Sequence, residues 1–387
     1  MRDGWLETTF RAFASLEKGI SYKSSELCDE GEGMPFINLK SIDRGGGYRS
    51  DGLKWYSGKF KSSQVVEPGD LILCCTDLTK QKAILGYPIL VPAIGYSRFC
   101  ISLDLAKILV DEKKILKSFL FLLLQDRRMR EFMQSRSSGT TVMHLKTSEV
   151  PDVQVALPPL PAQKRIVDLI SSVDSYIEAL QHQLESAKRS RNAVLHELLT
   201  TGSDDWIETT LDRVTECSWG NTETTKSKYV ESGFLAYSAS GADGFLDWFE
   251  HDRTAVVLSA IGAQCGKTWF AEGKWTSIKN TIWLKSDNSN LLDKYLFYLS
   301  NTDQFWQIRG QAQPFISLGD VKKTRVSLPP LREQERIVEV ISEMDAFIES
   351  IQRTSMEAKN LRSGLLSDLL SGSHEIPTTY DKVMGAA

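Results

Sequence analysis

Histidine is scarce in this chain, with five in 387 residues, and none of the six cysteines forms a C-x-x-C pair. No His or Cys cluster therefore has metal-ligand spacing. Cys28, Cys74, Cys75, Cys100, Cys217 and Cys265 are expected to be reduced structural thiols. Long apolar runs are missing too. The longest, Phe119–Leu124, is far too short to span a bilayer, and the N-terminus carries no apolar segment of signal-peptide type. These absences lead to the expectation of a cytoplasmic protein with no metal and no membrane partner. An excess of positive charge is also lacking, since 46 Lys/Arg face 50 Asp/Glu for a net charge of −4. Residues 1–155 carry 22 basic against 19 acidic side chains, and residues 204–326 carry 13 against 16. Neither segment can hold a polyanion by bulk charge, so any nucleic-acid surface must be local or completed by a partner.

Catalytic signatures are absent as well. No Asn-Pro-Pro-Tyr motif of amino-methyltransferases occurs, and the paired prolines are confined to Pro158-Pro159 and Pro329-Pro330. Gly262-Ala-Gln-Cys-Gly266-Lys267-Thr268 is one residue short of a phosphate-binding loop, because position 261 is Ile. Pro151-Asp152 and Glu272-x-Lys274 could be joined into a nuclease signature only across different parts of the chain. His182 and His196 fall within a helical pattern, where solvent-facing positions are the simplest expectation. The chain is read as having no active site of its own.

What the sequence does contain is a repeat. Leu157-Pro158-Pro159-Leu160-x-x-Gln163-x-Arg165-Ile166-Val167 returns in the second half of the chain as Leu328-Pro329-Pro330-Leu331-x-x-Gln334-x-Arg336-Ile337-Val338. At the same offset Ile170, Ser171, Asp174, Ile177 and Glu178 return as Ile341, Ser342, Asp345, Ile348 and Glu349, and Arg191 returns as Arg362. Trp5-Leu-Glu-Thr-Thr9 is echoed by Trp206-Ile-Glu-Thr-Thr210, and Phe119-Leu-Phe121 by Tyr295-Leu-Phe297. One module is used twice, and the first copy is the longer. With 41% hydrophobic residues the chain can fill two cores.

Each module ends in a helix opened by prolines, which suit a first turn where the missing N–H has no partner to lose. Apolar positions at Ile166, Ile170, Val173, Ile177, Leu180 and Leu184, then Ala187, Val194 and Leu198, alternate steps of four and three, with Arg191 in the gap. Ile337, Ile341, Met344, Ile348 and Ile351, then Ala358, Leu365 and Leu369, repeat the pattern, with Ser355 and Arg362 as polar breaks. A sustained period of about 3.5 residues is a coiled-coil seam. The first helix should be roughly 60 Å long at 1.5 Å per residue. The domain between the helices should have a radius of gyration of only about 14 Å. Its ends cannot lie a helix-length apart, so the second helix is expected to run back along the first. The expected architecture is α+β: two α/β heads, residues 1–155 and 204–326, and two antiparallel spacer helices, 156–203 and 327–373, in a pseudo-two-fold repeat. A flexible tail is expected over 374–387.

Two similar, non-identical heads at a set distance suit a polymer read at two points, and duplex DNA offers half-sites about one turn, roughly 34 Å, apart. The order of head, Leu-Pro-Pro-Leu-x-x-Gln helix, head and second such helix resembles the specificity subunit of type I restriction–modification systems over nearly the whole chain. In that family each recognition domain starts with a strand such as Trp5-Leu-Glu-Thr and ends with a Gly-then-apolar segment, here Gly139–Leu145 and Gly310–Ile316. The resemblance implies an asymmetric bipartite DNA target and docking of two modification subunits that methylate adenine, with restriction subunits in the full complex. S-adenosylmethionine, ATP and Mg are then expected on the partner subunits and no cofactor on this chain. The alternative is a coiled-coil adaptor whose heads bind protein.

Base reading calls for Arg, Lys, Asn, Gln or Ser near base edges. In the first head the candidates are Arg44, Gly46, Tyr48 and Arg49 in what reads as a flexible Gly-rich loop, followed by Lys54, Lys80, Lys82 and Thr140. In the second they are Lys226, Lys228, Tyr237, Ser240, Lys267, Lys279, Gln311 and Gln313.

Overall fold

Residues 4–202, 205–287, 289–302 and 304–381 are described by a computed structural model of the chain. The β-rich Trp-x-Glu-Thr-Thr segments become the strands Leu6–Thr9 and Ile207–Thr210. Each pairs antiparallel with the strand that leads into the prolines. Leu6 faces Leu157 in the first module and Ile207 faces Leu328 in the second, and the register is the same at all four positions. Every module therefore closes on itself, its first strand tied to its last.

The first head continues with a four-stranded sheet in the order Ala14–Lys18, Leu105–Val110, Leu71–Cys74, Pro88–Leu90. The second head repeats it as Thr215–Trp219, Thr281–Ser286, Ala255–Ser259, Thr268–Ala271. Beside it lies a second sheet built around one parallel pair, Met34–Ile37 with Phe99–Ile101 in the first head and Phe234–Ser238 with Lys274–Ser277 in the second. The other strand pairings are antiparallel, so each head is mainly β, with one apolar helix in its core. That helix is Lys117–Gln125 in the first copy and Asp293–Ser300 in the second. The extra length of the first head includes a segment between Ile37 and Lys54 that forms short 3-10 turns, where the second head needs only Ala239-Ser240.

The two long helices are Leu160–Thr200 and Leu331–Ser371. The chain divides into two compact units, Met1–Ala179 with Ser355–Ala387, and Leu180–Thr354. In the first unit Ile166 and Ile170 share a core with Leu366 and Leu369, so the start of one helix packs on the end of the other and they run antiparallel there. In the second unit Leu195 is buried with Ile337 and Ile341, again antiparallel. Of the expected seam, Ile166, Ile170, Ile177, Leu180, Ile337, Ile341 and Ile351 are buried, while Val173, Leu184, Met344 and Ile348 are half-buried. Burying one such aliphatic side chain fully contributes about 1.5–3 kcal/mol.

Arg191 and Arg362, which read as breaks in the seam, are cross-links. Within the second unit Arg191 Nε donates to Asp345 Oδ1 at 2.9 Å and its Nη2 to Oδ2 at 3.3 Å. Tyr298 of the head donates to the same carboxylate at 3.0 Å, and its ring lies 5.3 Å from the guanidinium carbon. Within the first unit Arg362 makes the equivalent pair with Asp174 through Nε and Nη2, and also donates to Gln125 at 3.1 Å. The tail expected to be flexible is laid against the first unit as far as residue 381. Ile376 packs on its core, and Asp381 accepts from Arg165 at 3.1 Å. Residues 382–387 lie outside the described residues.

Both heads are joined to their helices by a fully buried glutamine amide. Gln163 Oε1 accepts from Leu116 N at 2.8 Å, and its Nε2 donates to Pro158 O at 2.9 Å and Lys114 O at 3.2 Å. Gln334 does the same with Leu292 N at 3.0 Å, Pro329 O at 2.9 Å and Asn290 O at 2.7 Å. Leu116 and Leu292 are the N-cap residues of the two apolar helices and have no side-chain cap of their own. The shared geometry thus fastens head to spacer at one atom group.

Replacing Gln163 or Gln334 by Leu removes the partner of three backbone groups, one of them (Pro158 O or Pro329 O) in a fully buried hydrogen bond. A loss of about 2–5 kcal/mol in urea unfolding is expected for each, and losses below about 1 kcal/mol would show that water replaces the amide. Alanine double-mutant cycles at Asp174/Arg362 and Asp345/Arg191 should each give a favourable coupling of about 0.5–1.5 kcal/mol; zero coupling at both would remove their role in register.

Candidate nucleic-acid interface

In the first head the inserted segment folds over the end of strand Thr76–Asp77 and leaves a groove of about 700 Å³. Arg44, Arg49 and Lys54 line it with Lys40, Thr79, Gln81 and the exposed Leu78. Three of the candidate residues thus share one concave surface. Lys80 is exposed on the neighbouring loop. That loop is rigid, because both oxygens of Asp77 cap it, accepting from Thr79 N at 2.7 Å and Ile84 N at 2.9 Å.

Four candidates have a structural setting that the sequence reading did not anticipate. The Gly-rich segment is a closed turn and not a flexible loop: Ile42 bridges to Tyr48, and Asp43 takes Gly45 N at 2.8 Å on its side chain. Gly46, with φ +91°, lies on the Tyr87 ring, and a Cβ there would come within 2.3 Å of it. Its role is close packing of the turn. Tyr48 has its hydroxyl buried without a partner, and burial pushes its phenol pKa up. Lys82 adopts φ +54° and is tied to the helix Arg127–Ser135, its Nζ donating to Gln134 O at 3.1 Å. In the second head Tyr237 is interior. It sits in strand Phe234–Ser238, packs edge-on to Trp275 and donates to Phe270 O at 3.2 Å, which keeps it from any external base.

Thr140 is exposed at the tip of a hairpin that has a counterpart in the second head. Ser137–Ser138, Met143–Leu145 and Thr76–Asp77 form a three-stranded ribbon. The bridges Arg309 to Phe315 and Ile261 to Phe315 repeat it. Gly139 (φ +119°) and Gly310 (φ +79°) close the two tips, each pressed against a backbone carbonyl, Val142 O and Gln313 O. Gln311 and Gln313 are exposed on the second head's counterpart of the hairpin that carries Thr140. The ribbons differ in chemistry. His144 Nδ1 meets Thr76 Oγ1 at 3.2 Å in the first head, whereas Trp219, Ile261 and Phe315 make an apolar recess of about 370 Å³ beside Gln313 in the second. Trp219 and Phe315, both partly exposed, were not among the base-reading candidates, although Phe315 lies in the Gly310–Ile316 segment; the constant offset of the repeat, which aligns His144 with Phe315, carries the signal.

The remaining second-head candidates occupy other loops and turns of that head. Lys267 is exposed at the end of the Gly262–Gly266 loop, which joins two antiparallel strands and leads into no helix, so it offers no phosphate cradle. Lys279 is exposed, its N–H directed at Thr224 O at 3.4 Å. Lys226 pairs with Asp243 and approaches Ser240 Oγ at 3.4 Å, and Tyr229 and Ser238 donate to the same carboxylate at 2.8 and 2.7 Å. Partial burial raises Asp243, but the hydrogen bonds from Lys226, Ser238 and Tyr229 outweigh it and hold the carboxyl below its ordinary range. Lys228 is exposed nearby.

Among the described residues no group of three or more His, Cys, Asp or Glu could hold a metal, and no helix is long and apolar enough to cross a membrane. The cysteines are free thiols; burial pushes Cys75 up to about 12, which keeps it inert at neutral pH.

The head-and-helix module is thus duplicated, with one scaffold register and two different rims. The type I restriction modification DNA specificity domain matches residues 3–189 and again residues 203–360, so the chain belongs to that family, whose members are non-catalytic DNA-specificity subunits. The type I restriction enzyme EcoBI specificity subunit of Escherichia coli is 24% identical over 96% of this chain and 86% of its own length. The S subunit of a type I restriction–modification system from M. genitalium has the same fold, with TM-score 0.57 at 16% identity over 94% of this chain and 96% of that one. A chain solved to explain assembly and conformational transition of the type I R-M system gives 0.64 at 18% identity, covering 96% and 98%.

Gly46→Ala should destabilise the first head by about 2 kcal/mol or more. Gly47→Ala (φ +99°, open space) should cost only the backbone part, about 1–2 kcal/mol. Thermal unfolding compares them, and equal losses would mean that Tyr87 simply moves aside.

Proposed function

We propose that this chain reads an asymmetric bipartite DNA site, one half with each head, on behalf of a type I restriction–modification complex in the cytoplasm. Residues 1–155 and 204–326 act as exchangeable recognition modules. The single observation that carries the reading is that the two heads share the order of their central four-stranded sheet and the register of their closing strand pair while their rims differ. An arginine-lined groove stands in one, and a Trp–Phe recess flanked by glutamines in the other. A scaffold kept constant under changing rims is what two different half-sites require.

The helices serve as the docking surface for two modification subunits. Tyr176 and Phe347 support this: they occupy equivalent positions in the repeat, and both are more than half exposed on helices whose other faces are packed. Two matching surfaces suit two copies of one partner. S-adenosylmethionine, ATP and Mg then act on the partner subunits, with restriction subunits completing the complex.

The near-neutral heads imply that phosphate neutralisation comes largely from those partners. Affinity for the cognate site should be much lower for the isolated chain, and the slope of log K against log salt shallower, than for the complex with modification subunits. Exchange of residues 1–155 for those of another family member should change half of the methylated target and leave assembly intact. Loss of assembly with an unchanged target would favour an adaptor whose heads bind protein.

A further inference from the structure

Within the first-head groove, Arg49 is held in a particular way. Its Nε donates to Asp51 Oδ1 at 3.0 Å and its Nη2 to Asp51 Oδ2. A planar guanidinium has two donor forks, one side-on through Nε and Nη2 and one end-on through Nη1 and the outer Nη2 hydrogen. Asp51 occupies the side-on fork. Among the described residues none takes the end-on fork, and both side chains are exposed to the groove.

The backbone beneath is fixed. Arg49 N donates to Ser41 O at 2.7 Å, and Gly52 O accepts from Asn38 Nδ2 at 3.2 Å and Ser41 Oγ at 3.0 Å. Gly52 is pressed so closely on Lys40 that a Cβ would lie 1.9 Å from its carbonyl oxygen. The carboxylate that holds Arg49 thus stands on a rigid turn. The hydrogen bond from Arg49 and, more weakly, its charge keep the Asp51 carboxyl below its ordinary range against slight desolvation, so the pair is charged throughout the neutral range. An exposed pair of this kind adds little to stability. Its consequence is orientational: the free fork has a set plane.

In the major groove guanine presents two acceptors, O6 and N7, at the spacing of that fork. Building on the DNA-reading function above, we propose that Arg49 reads a guanine of the first half-site through its end-on fork, and that Asp51 is the positioning residue that sets its plane. The second head has only Ala239-Ser240 in place of that segment, and its Lys226–Asp243 pair, carried on other elements, is a point charge without a second fork.

The test uses the complete chain with its modification subunits on duplexes carrying the target obtained by mapping methylated adenines. Each guanine of the first half-site is replaced in turn by 7-deazaguanine, which lacks the N7 acceptor. One position should weaken binding by the wild-type complex roughly 10- to 150-fold, the range of one lost hydrogen bond to a charged donor. With Arg49→Ala the same replacement should change binding less than about twofold, since the contact is already gone. Asp51→Ala should leave the melting temperature unchanged yet cut discrimination between G·C and A·T at that position at least fivefold, and Asp51→Glu should restore part of it. The proposal is overturned if no deazaguanine effect disappears with Arg49→Ala. It is also overturned if Arg49→Ala weakens all sequences alike and lowers the salt slope by about one, the signature of a phosphate contact. Unchanged discrimination in Asp51→Ala removes the positioning role. A wild-type complex with no sequence preference would overturn the DNA-reading function together with this proposal, whereas a preference uncoupled from Arg49 overturns this proposal alone.

Discussion

A buried primary amide can make three or four hydrogen bonds, and in an interior its failure to make them costs more than their formation contributes. Gln163 and Gln334 each place such an amide where three separate pieces of chain converge: the strand that ends the head, the loop before the internal helix, and the first turn of the long helix. Pro158 O and Pro329 O accept from the amide, while Pro159 O and Pro330 O take backbone N–H groups of the first helical turn. The internal helix starts under a leucine with no cap, and the amide accepts the N–H there. Head and spacer therefore cannot rotate against each other without stranding polar groups in an apolar surround. Every other feature that needs a head in fixed relation to its helix rests on this joint.

Register along the helices is set by charge where apolar contacts alone would tolerate slippage. A seam of Ile and Leu can slide by one heptad with modest loss, because the side chains are similar. Asp174 with Arg362 and Asp345 with Arg191 cannot slide, since displacement leaves two half-buried charges without partners. The second of these pairs also accepts Tyr298 from its head, so the same carboxylate reports on head position and helix register together.

Much of this architecture was legible in the sequence because duplication leaves a constant offset. The repeat exposed both long helices, the opening strands and the ends of the heads. The seam period gave most of the buried positions. Asp174, Asp345, Arg191 and Arg362 were visible as repeated residues, but a one-dimensional pattern shows polar gaps and not their partners, which lie far away along the chain. The glutamine stood in the motif with no reason attached, since its partners are backbone atoms that no residue type announces. The reading surface was the least legible part. Tyr237 resembles a loop residue next to Ser238 and Ser240, yet alternation along a covered strand turns it inward. Three glycines suggested mobility, whereas the Tyr87 ring, brought onto Gly46 from well downstream, makes that glycine a packing device. Arg44, Arg49 and Lys54 were found by residue type, but their sharing of one groove depends on an inserted segment that only folding brings back over Asp77–Thr79.

The partition into units has a consequence for how the molecule is made. The second unit is continuous in sequence, Leu180–Thr354, whereas the first draws on both ends of the chain. During synthesis the ribosome delivers the first head early, yet the core around Ile166 and Ile170 lacks the part that Leu366 and Leu369 supply until these emerge, after the whole second unit. The later-made unit is thus the one that can complete its core first, and the earlier-made one waits with an open apolar stripe. Vectorial translation and the order of structural closure run in opposite directions in this chain. A nascent molecule stalled before the last helical turns holds a finished second half and a first half whose core is still incomplete, a state whose uncovered apolar surface invites pairing with another chain in the same condition.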